Sequence, residues 1–364
     1  MTVTEKKESH LSQLDGIRGL AILLVALGHI FYRFYIFKFG WIGLNLFFIL
    51  SGYLITSKLF YHLKTNARNY FKNFYARRFL RIFPLYYGCL IFFFIILPLF
   101  YSDYTKYFSS IYNNQIWYWL YASNWSLILF GLPKNPVFFH FWSLAVEEQF
   151  YLFWPILFKY INIFKHRIIT IGIIILFSIY TRVANPVSDH AYYNTLTACE
   201  PLMLGCLVSI LEEKIKLRSL CKYFFFLALL SVLALSFIFY HNNDLHISNR
   251  WLMKYGYSAI NLIWVYLLCI LLLPLKISPI LVKIFSSKPI AWLGKYSYGI
   301  YIFHWLILQL FIYKYDTEFV DHGMSLNTSY FIVRLIGIFV ILICSYCSYH
   351  LYEKHFLNLK KYFV

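Results

Sequence analysis

Charge is what this sequence has least of. Only 13% of its 364 residues are Asp, Glu, Lys or Arg, against ~25% in soluble globular chains, and 61% are apolar where ~45–50% is usual. Negative charge is scarcer still, with 15 acidic against 33 basic residues. Long polar stretches are missing as well. The longest, Met1 to Leu14, has neither an apolar core nor a small-residue cleavage site, and is expected to be a cytosolic lead-in, not a signal peptide. Other absences narrow the chemistry. There is no CxxC pair, HExxH, Walker A loop or GxGxxG, which argues against zinc chemistry, nucleotide hydrolysis and dinucleotide binding. No internal repeat is visible, so the inverted-repeat mark of many secondary transporters is lacking. The seven cysteines, Cys89, Cys199, Cys206, Cys221, Cys269, Cys344 and Cys347, fall in apolar spans or on the expected cytosolic side and imply no disulfide framework.

What the chain has is apolar runs. Tyr86 to Tyr101, Ile168 to Tyr180, Phe224 to Tyr240, Ala259 to Leu275 and Tyr330 to Cys347 approach or reach the ~20 residues that cross a bilayer as helix. A net charge of +18 raises the question of nucleic acid, but the basic residues lie in short connections. Lys and Arg concentrate in Leu59 to Arg81, Lys159 to Arg167, Glu212 to Lys222, Lys276 to Lys295 and Lys354 to Lys361. The alternate connections, Tyr101 to His140, Thr181 to Thr195, His241 to Lys254 and Lys314 to Thr328, are nearly balanced. That alternation is the positive-inside pattern. It predicts an all-α, polytopic membrane helix bundle, a single domain over 1–364 with both termini cytosolic and about ten spans: 17–36, 41–60, 82–101, 142–162, 167–181, 196–212, 222–241, 255–275, 291–313 and 329–350. The aromatic stretch Ile116 to Phe130 breaks the parity if it crosses, so it is expected to be re-entrant or interfacial on the outer side.

Ionisable residues inside such spans are the candidates for chemistry. Arg18 and His29 are eleven residues apart in the first span, which places them on one helix face about 16 Å apart along the axis. A histidine at that depth either packs against a neighbouring helix or faces a protein-lined cavity, where it is the side chain best suited to pass protons at neutral pH. In the second span Asn45 and Ser51 are placed to hydrogen-bond across to it, with Gly43 and Gly52 allowing close helix approach. At the cytosolic mouth of the third, Arg78 and Arg81 are three apart on one face, with Arg77 beside them. They are either interfacial anchors or guanidinium forks for phosphate. The fourth span carries Ser143, Glu147 and Glu148. The two carboxylates point ~100° apart, so one of them at most shares a cavity with His29, and a glutamate near a histidine is the usual equipment for general acid/base work. Ser143 is an acyl-carrying nucleophile or, more simply, a small helix-packing residue. Tyr298, Tyr301, His304 and Trp305 line one helix region, and with Glu353 they read mainly as structural.

Taken together these segments resemble the membrane-bound acyltransferase-3 family, bacterial and animal proteins that O-acylate sugars and lipids. The resemblance runs through Leu14-Asp15-Gly16-Ile17-Arg18-Gly19-Leu20 with His29, Phe47-Phe48-Ile49-Leu50-Ser51-Gly52-Tyr53, Arg78-Phe79-Leu80-Arg81 and Trp142-Ser143-Leu144-Ala145-Val146-Glu147-Glu148-Gln149-Phe150. Weaker echoes are Leu202-Met203-Leu204-Gly205, Ser297 to Trp305 and Ser348 to Lys354, in family order along almost the whole chain. One departure is Asn45, where the family usually has aspartate. The resemblance implies an O-acyltransferase of the inner membrane, most simply an O-acetyltransferase, taking its acyl group from cytosolic acyl-CoA (acetyl-CoA) and needing no metal. The acceptor is a hydroxyl of a glycan or lipid-linked sugar on the other side: lipopolysaccharide, capsule or a peptidoglycan precursor. Arg18, Arg77, Arg78 and Arg81 then hold the donor, while His29 acts as base or acyl relay with Glu147, Asn45 and Ser143 around it. Some relatives continue into an extracytoplasmic domain. With its end expected on the cytosolic side, this chain either finishes the transfer or hands the acyl group to a separate protein. The alternative is a glycan or lipid transporter, which ten spans around a polar cavity would also serve.

Overall fold

The structure is a computed structural model and describes residues 12–101, 103–186, 189–242, 246, 248–273, 278–321 and 324–363. Every regular element among them is helical. The main helices are α1 (Ser12–Ile30), α2 (Ile42–Thr65), α3 (Tyr70–Ile91), α4 (Phe141–Tyr160), α5 (Phe164–Ala184), α6 (Thr195–Leu211), α7 (Leu217–Asn242), α8 (Tyr257–Leu272), α9 (Ser297–Ile307) and α10 (Leu326–Ser348). Two starts are set by local side chains. Asn194 accepts from the Leu196 N–H at α6 and Ser325 from the Thr328 N–H at α10, each satisfying a donor that a helix N-terminus leaves open.

Among the described residues seven helices are long and apolar enough to cross a membrane, those over Ser12–Ile30, Tyr35–Thr65, Ala67–Phe100, Phe164–Ala184, Leu217–Asn242, Leu252–Leu272 and Leu326–Tyr362. The protein is thus a multi-pass membrane protein, and its outer faces agree. Ile173, Leu176, Leu230, Leu233, Leu335 and Phe339 are each more than half exposed, a burden in water and the right surface for hydrocarbon.

Several expected boundaries shift. α1 stops at Ile30, six residues short of the expected end, because Tyr35–Trp41 winds as a 3-10 helix. α3 starts at Tyr70, well before 82, so Arg77, Arg78 and Arg81 are inside it. The stretch expected as one span over 291–313 is broken at Tyr296, which leaves helical dihedrals (φ −96°, ψ 7°). Ile116 to Phe130 forms two short helices, Ile116–Trp119 and Ser123–Phe130, hinged at Tyr121 with φ 50°. The longer has 8 residues, about 12 Å of helix against a core of about 30 Å, so neither piece crosses.

Two compact units divide the chain. One takes the described residues up to Gly28, Tyr32–Arg68 and Gln149–Lys295; the other takes His29–Phe31, Asn69–Glu148 and the residues from Tyr296 on. In the first unit α2 is central. A side chain at Gly52 would run into the Leu202 carbonyl of α6, and one at Gly205 into the Ile49 carbonyl of α2, so the two backbones touch. Polar groups fix the register: Ser57 to Ser209 at 2.9 Å, Tyr53 to Glu212 at 3.0 Å, Trp154 to Thr56 at 2.9 Å and Trp264 to the Ile42 carbonyl at 2.9 Å. Deepest lies Arg182, fully buried, paired with Glu200. It also donates to Ser258 at 2.6 Å and to the Met253 carbonyl at 2.8 Å, with the Tyr257 ring 4.5 Å from its guanidinium carbon. In the second unit α3 accepts from the Tyr298 hydroxyl at Ile82 (2.6 Å) and from the Tyr352 hydroxyl at Pro84 (3.2 Å), around the proline that interrupts its own ladder. The C-terminal segment is tied down by Arg77, which donates to the Phe363 carbonyl at 2.9 Å.

Two predictions follow from this packing. Gly52→Ala forces α2 from α6 and should lower stability by ~1–3 kcal/mol, read as a lower unfolding midpoint in detergent. Gly172→Ala, whose methyl meets nothing within 4 Å, should not. Equal midpoints would show that the backbone contact is not what holds the pair. For the C-terminal segment, Arg77→Ala should speed tryptic cleavage at Lys354, Lys360 and Lys361, followed by loss of a C-terminal tag, while Arg78→Ala leaves that rate unchanged.

Candidate active site

The second unit gathers three histidines from separate parts of the chain. His29 is the penultimate residue of α1, His140 immediately precedes α4, and His304 lies in α9. The end of α1 is held by Arg334 of α10, a fully buried side chain whose Nε donates to the Ile30 carbonyl at 2.8 Å and whose Nη1 donates to the Tyr330 carbonyl at 3.1 Å. A cation on one of the open carbonyls of a helix C-terminus is favourable. Here it fixes the turn that carries His29. The Tyr330 ring lies 3.3 Å from the guanidinium carbon, sharing its charge with an aromatic face.

His29 Nδ1 and His304 Nε2 are 3.0 Å apart, with ring centroids 5.3 Å apart and planes within 10°. The Trp305 ring meets His29 edge-on at 4.8 Å and is itself anchored by its indole N–H on the Pro136 carbonyl at 2.6 Å. On its far side His304 Nδ1 faces the carbonyls of Tyr301 at 2.7 Å and Ile300 at 3.2 Å. His140 Nε2 faces the Ile302 carbonyl at 3.1 Å, its ring lies across His304 at 5.3 Å, and its buried Nδ1 has no hydrogen-bond partner. Tyr301 donates to the His140 carbonyl at 2.7 Å and is bonded to Ser143. His29 and His304 thus stand in one hydrogen-bonded line that ends on backbone carbonyls.

The residues expected from sequence divide between the units. His29, Ser143, Glu147, Arg77, Arg78 and Arg81 belong to the second, Arg18 and Asn45 to the first. Asn45 and Ser51, expected to reach His29, are engaged elsewhere. The Asn45 amide donates to Asn261 at 2.7 Å and Ser51 accepts from Tyr151 at 3.1 Å, while His29 has His304. Arg18 is bonded to Asp15 at 2.7 Å. Ser143 turns to the Tyr301 hydroxyl and the His140 carbonyl, not to an imidazole nitrogen. Glu147 lies close enough to Tyr301 and Glu148 for its charge to act on both. Glu148 has Arg78, Tyr86, Tyr87, Tyr121 and Tyr298 around its charge, yet one buried carboxylate oxygen has no hydrogen-bond partner. Tyr86, Tyr87 and Tyr298 spend their hydroxyls on the carbonyls of Tyr118, Trp119 and Ile82. Arg78 lies 5.9 Å from the Phe74 ring, and the Arg81 charge acts on Glu353, which accepts from Ser348 at 2.9 Å.

His140, Arg334 and the Arg182–Glu200 pair escaped the sequence. Each carried a signal: Arg334 and Glu200 are charges inside apolar helices, and His140 stands at the start of a motif whose later residues took the attention.

Comparison with known proteins places the chain in a family. The profile of the acyltransferase-domain family matches residues 11–350. A peptidoglycan O-acetyltransferase, OatA, of Listeria monocytogenes (serovar 1/2a) is 30% identical over 84% of this chain and 51% of its own. An O-acetyltransferase, OatA, of Staphylococcus aureus (strain NCTC 8325) is 26% identical over 88% of this chain and 56% of its own. The chain thus spans about half the length of the curated relatives it matches. No solved structure matches it. The histidine-bearing first helix, the arginines of α3, the two glutamates of α4 and a family match over almost the full length lead to one conclusion: this chain belongs to the acyltransferase-3 family of membrane acyltransferases.

Proposed function

We propose that the protein moves an acyl group, most simply acetyl, from cytosolic acyl-CoA to a hydroxyl of an extracytoplasmic or membrane-linked glycan. The observation that carries this is His29, a histidine on a membrane helix whose ring is bonded on one nitrogen and held by Trp305 and by the Arg334 anchor behind it. Such a group takes the proton of an acceptor hydroxyl as that oxygen attacks the thioester carbon. The C–S bond then breaks and the proton passes from His29 to the departing thiolate, so the imidazole ends as it began. Arg78 and Arg81 take the CoA phosphates, Arg78 as a bidentate fork. Arg18 lies in the first unit, bonded to Asp15. Arg77 is committed to the C-terminal segment and contributes charge alone. Glu147 reprotonates or orients, and Ser143 holds Tyr301 in place.

The setting proposed is the cytoplasmic membrane, with ten spans and both termini cytosolic. The charge alternation of the connections supports it. Peptidoglycan is the first acceptor to try, because a relative carries it in its name. No observation favours a transporter.

The test pairs turnover with binding. Purified protein in lipid vesicles is given acetyl-CoA and peptidoglycan fragments, thiol release and glycan O-acetylation are followed, and donor affinity is measured by titration with a non-hydrolysable acetyl-CoA analogue. His29→Ala should abolish transfer and leave donor affinity within about twofold, since general-base removal acts on rate by ~10²–10⁴. Arg78→Lys should weaken the donor about tenfold through loss of the fork. Turnover near wild type in His29→Ala would end the assignment of His29, and normal donor binding in Arg78→Lys would remove that arginine from the donor site.

A further inference from the structure

The catalytic use of His29 requires one ring nitrogen to be free of a proton and turned to the acceptor, and the surroundings of His304 decide which one that is. His304 is fully buried, and its Nδ1 faces two backbone carbonyls, Tyr301 at 2.7 Å and Ile300 at 3.2 Å. A carbonyl oxygen only accepts, so Nδ1 of His304 carries the hydrogen. In a neutral imidazole the other nitrogen is then a bare acceptor. That acceptor, Nε2, is the atom 3.0 Å from His29 Nδ1, so the hydrogen between the rings belongs to His29 Nδ1. What remains on His29 is Nε2 with its lone pair.

We infer that His304 is a positioning residue that holds His29 as its Nδ1–H tautomer and so makes His29 Nε2 the atom that takes the acceptor's proton. This rests on the role of His29 as base proposed above. In free histidine the Nε2–H tautomer predominates, so without its partner His29 would present a hydrogen where the reaction needs a lone pair. The arrangement parallels the way an orienting group fixes the tautomer of a catalytic histidine in hydrolase triads, with an imidazole and a helix carbonyl in place of a carboxylate. As the acceptor oxygen bonds to the acyl carbon, its proton goes to His29 Nε2, giving an imidazolium whose Nδ1–H bond to His304 Nε2 is strengthened by the new charge. Return of that proton to the thiolate restores the starting tautomer. Arg334, by holding the carbonyl of Ile30, fixes the backbone from which this ring projects. The Trp305 edge and the His304 bond together limit how the ring turns about χ2.

The discriminating variants follow from side-chain reach. His304→Gln places an amide oxygen near the position of Nε2 and can still accept from His29 Nδ1–H. His304→Asn reaches only the position of Nδ1, and His304→Ala reaches neither. Turnover of acetyl-CoA with the same peptidoglycan fragments should fall about a hundredfold in the Ala and Asn variants, within the ~10²–10⁴ span of general-base catalysis, with the KM for acetyl-CoA unchanged. The Gln variant should recover to within about tenfold of wild type. Solid-state NMR of the full chain labelled with 15N-histidine, with His29 assigned by difference against His29→Gln, should show His29 protonated at Nδ1 in wild type and at Nε2 in His304→Ala. Asn and Gln variants of equal activity, a wild-type rate in His304→Ala, or Nε2–H on His29 in the wild-type protein would each overturn the inference. The wild-type spectrum decides even if a variant fails to fold. Loss of activity in His29→Ala with full activity in His304→Ala refutes the tautomer lock alone. Full activity in both refutes the role of His29 itself.

Discussion

A polar group carried into hydrocarbon has no water to turn to, so the protein must supply every partner itself. Each of the unusual features of this chain answers that constraint. Arg334 is met by two helix carbonyls and an aromatic face. His304 spends one nitrogen on the backbone and the other on His29, and Tyr298 and Tyr87 direct their hydroxyls to carbonyls of α3 and of the aromatic segment around Trp119. The groups left short of a partner are therefore informative, because in such a setting an unmet atom is expensive to keep. The Nδ1 of His140 and one oxygen of Glu148 are of this kind, and both lie in the unit that holds His29.

Much of the architecture was legible in the sequence because the bilayer enforces a simple code. Length and apolarity mark a span, and basic residues mark its inner end. That code does not see where a helix stops. α1 ends at Ile30, and Tyr35–Trp41 takes up a tighter winding that the count of apolar residues does not specify. Nor does it see breaks such as Tyr296, which come from backbone dihedrals inside a stretch long enough to read as one span.

The site was legible in part for a related reason. His29, Arg78, Glu147 and Glu148 stand out as ionisable residues where lipid should exclude them. Which of them meet depends on distant segments, and spacing along one helix carries no information about a partner 275 positions away. Hence His304 looked like one more aromatic-flanked residue of α9, and Asn45 seemed aimed at His29 when its amide N–H donates to Asn261 on α8. The serine of α4 shows the same limit from the other side. Its residue type suits a nucleophile, but its hydroxyl is taken by Tyr301 and a backbone carbonyl.

The buried pair of Arg182 and Glu200 has a consequence for biogenesis. Its members are 18 residues apart, on helices that follow one another in the chain. Each alone would raise the insertion free energy of its helix, because an unpaired charge is costly in hydrocarbon. Entering together as a hairpin, α5 and α6 bring these two charges into the bilayer already matched to each other. Loss of one partner would therefore be felt first during synthesis, as a hairpin that leaves the translocon slowly and is degraded, before any question of catalysis arises.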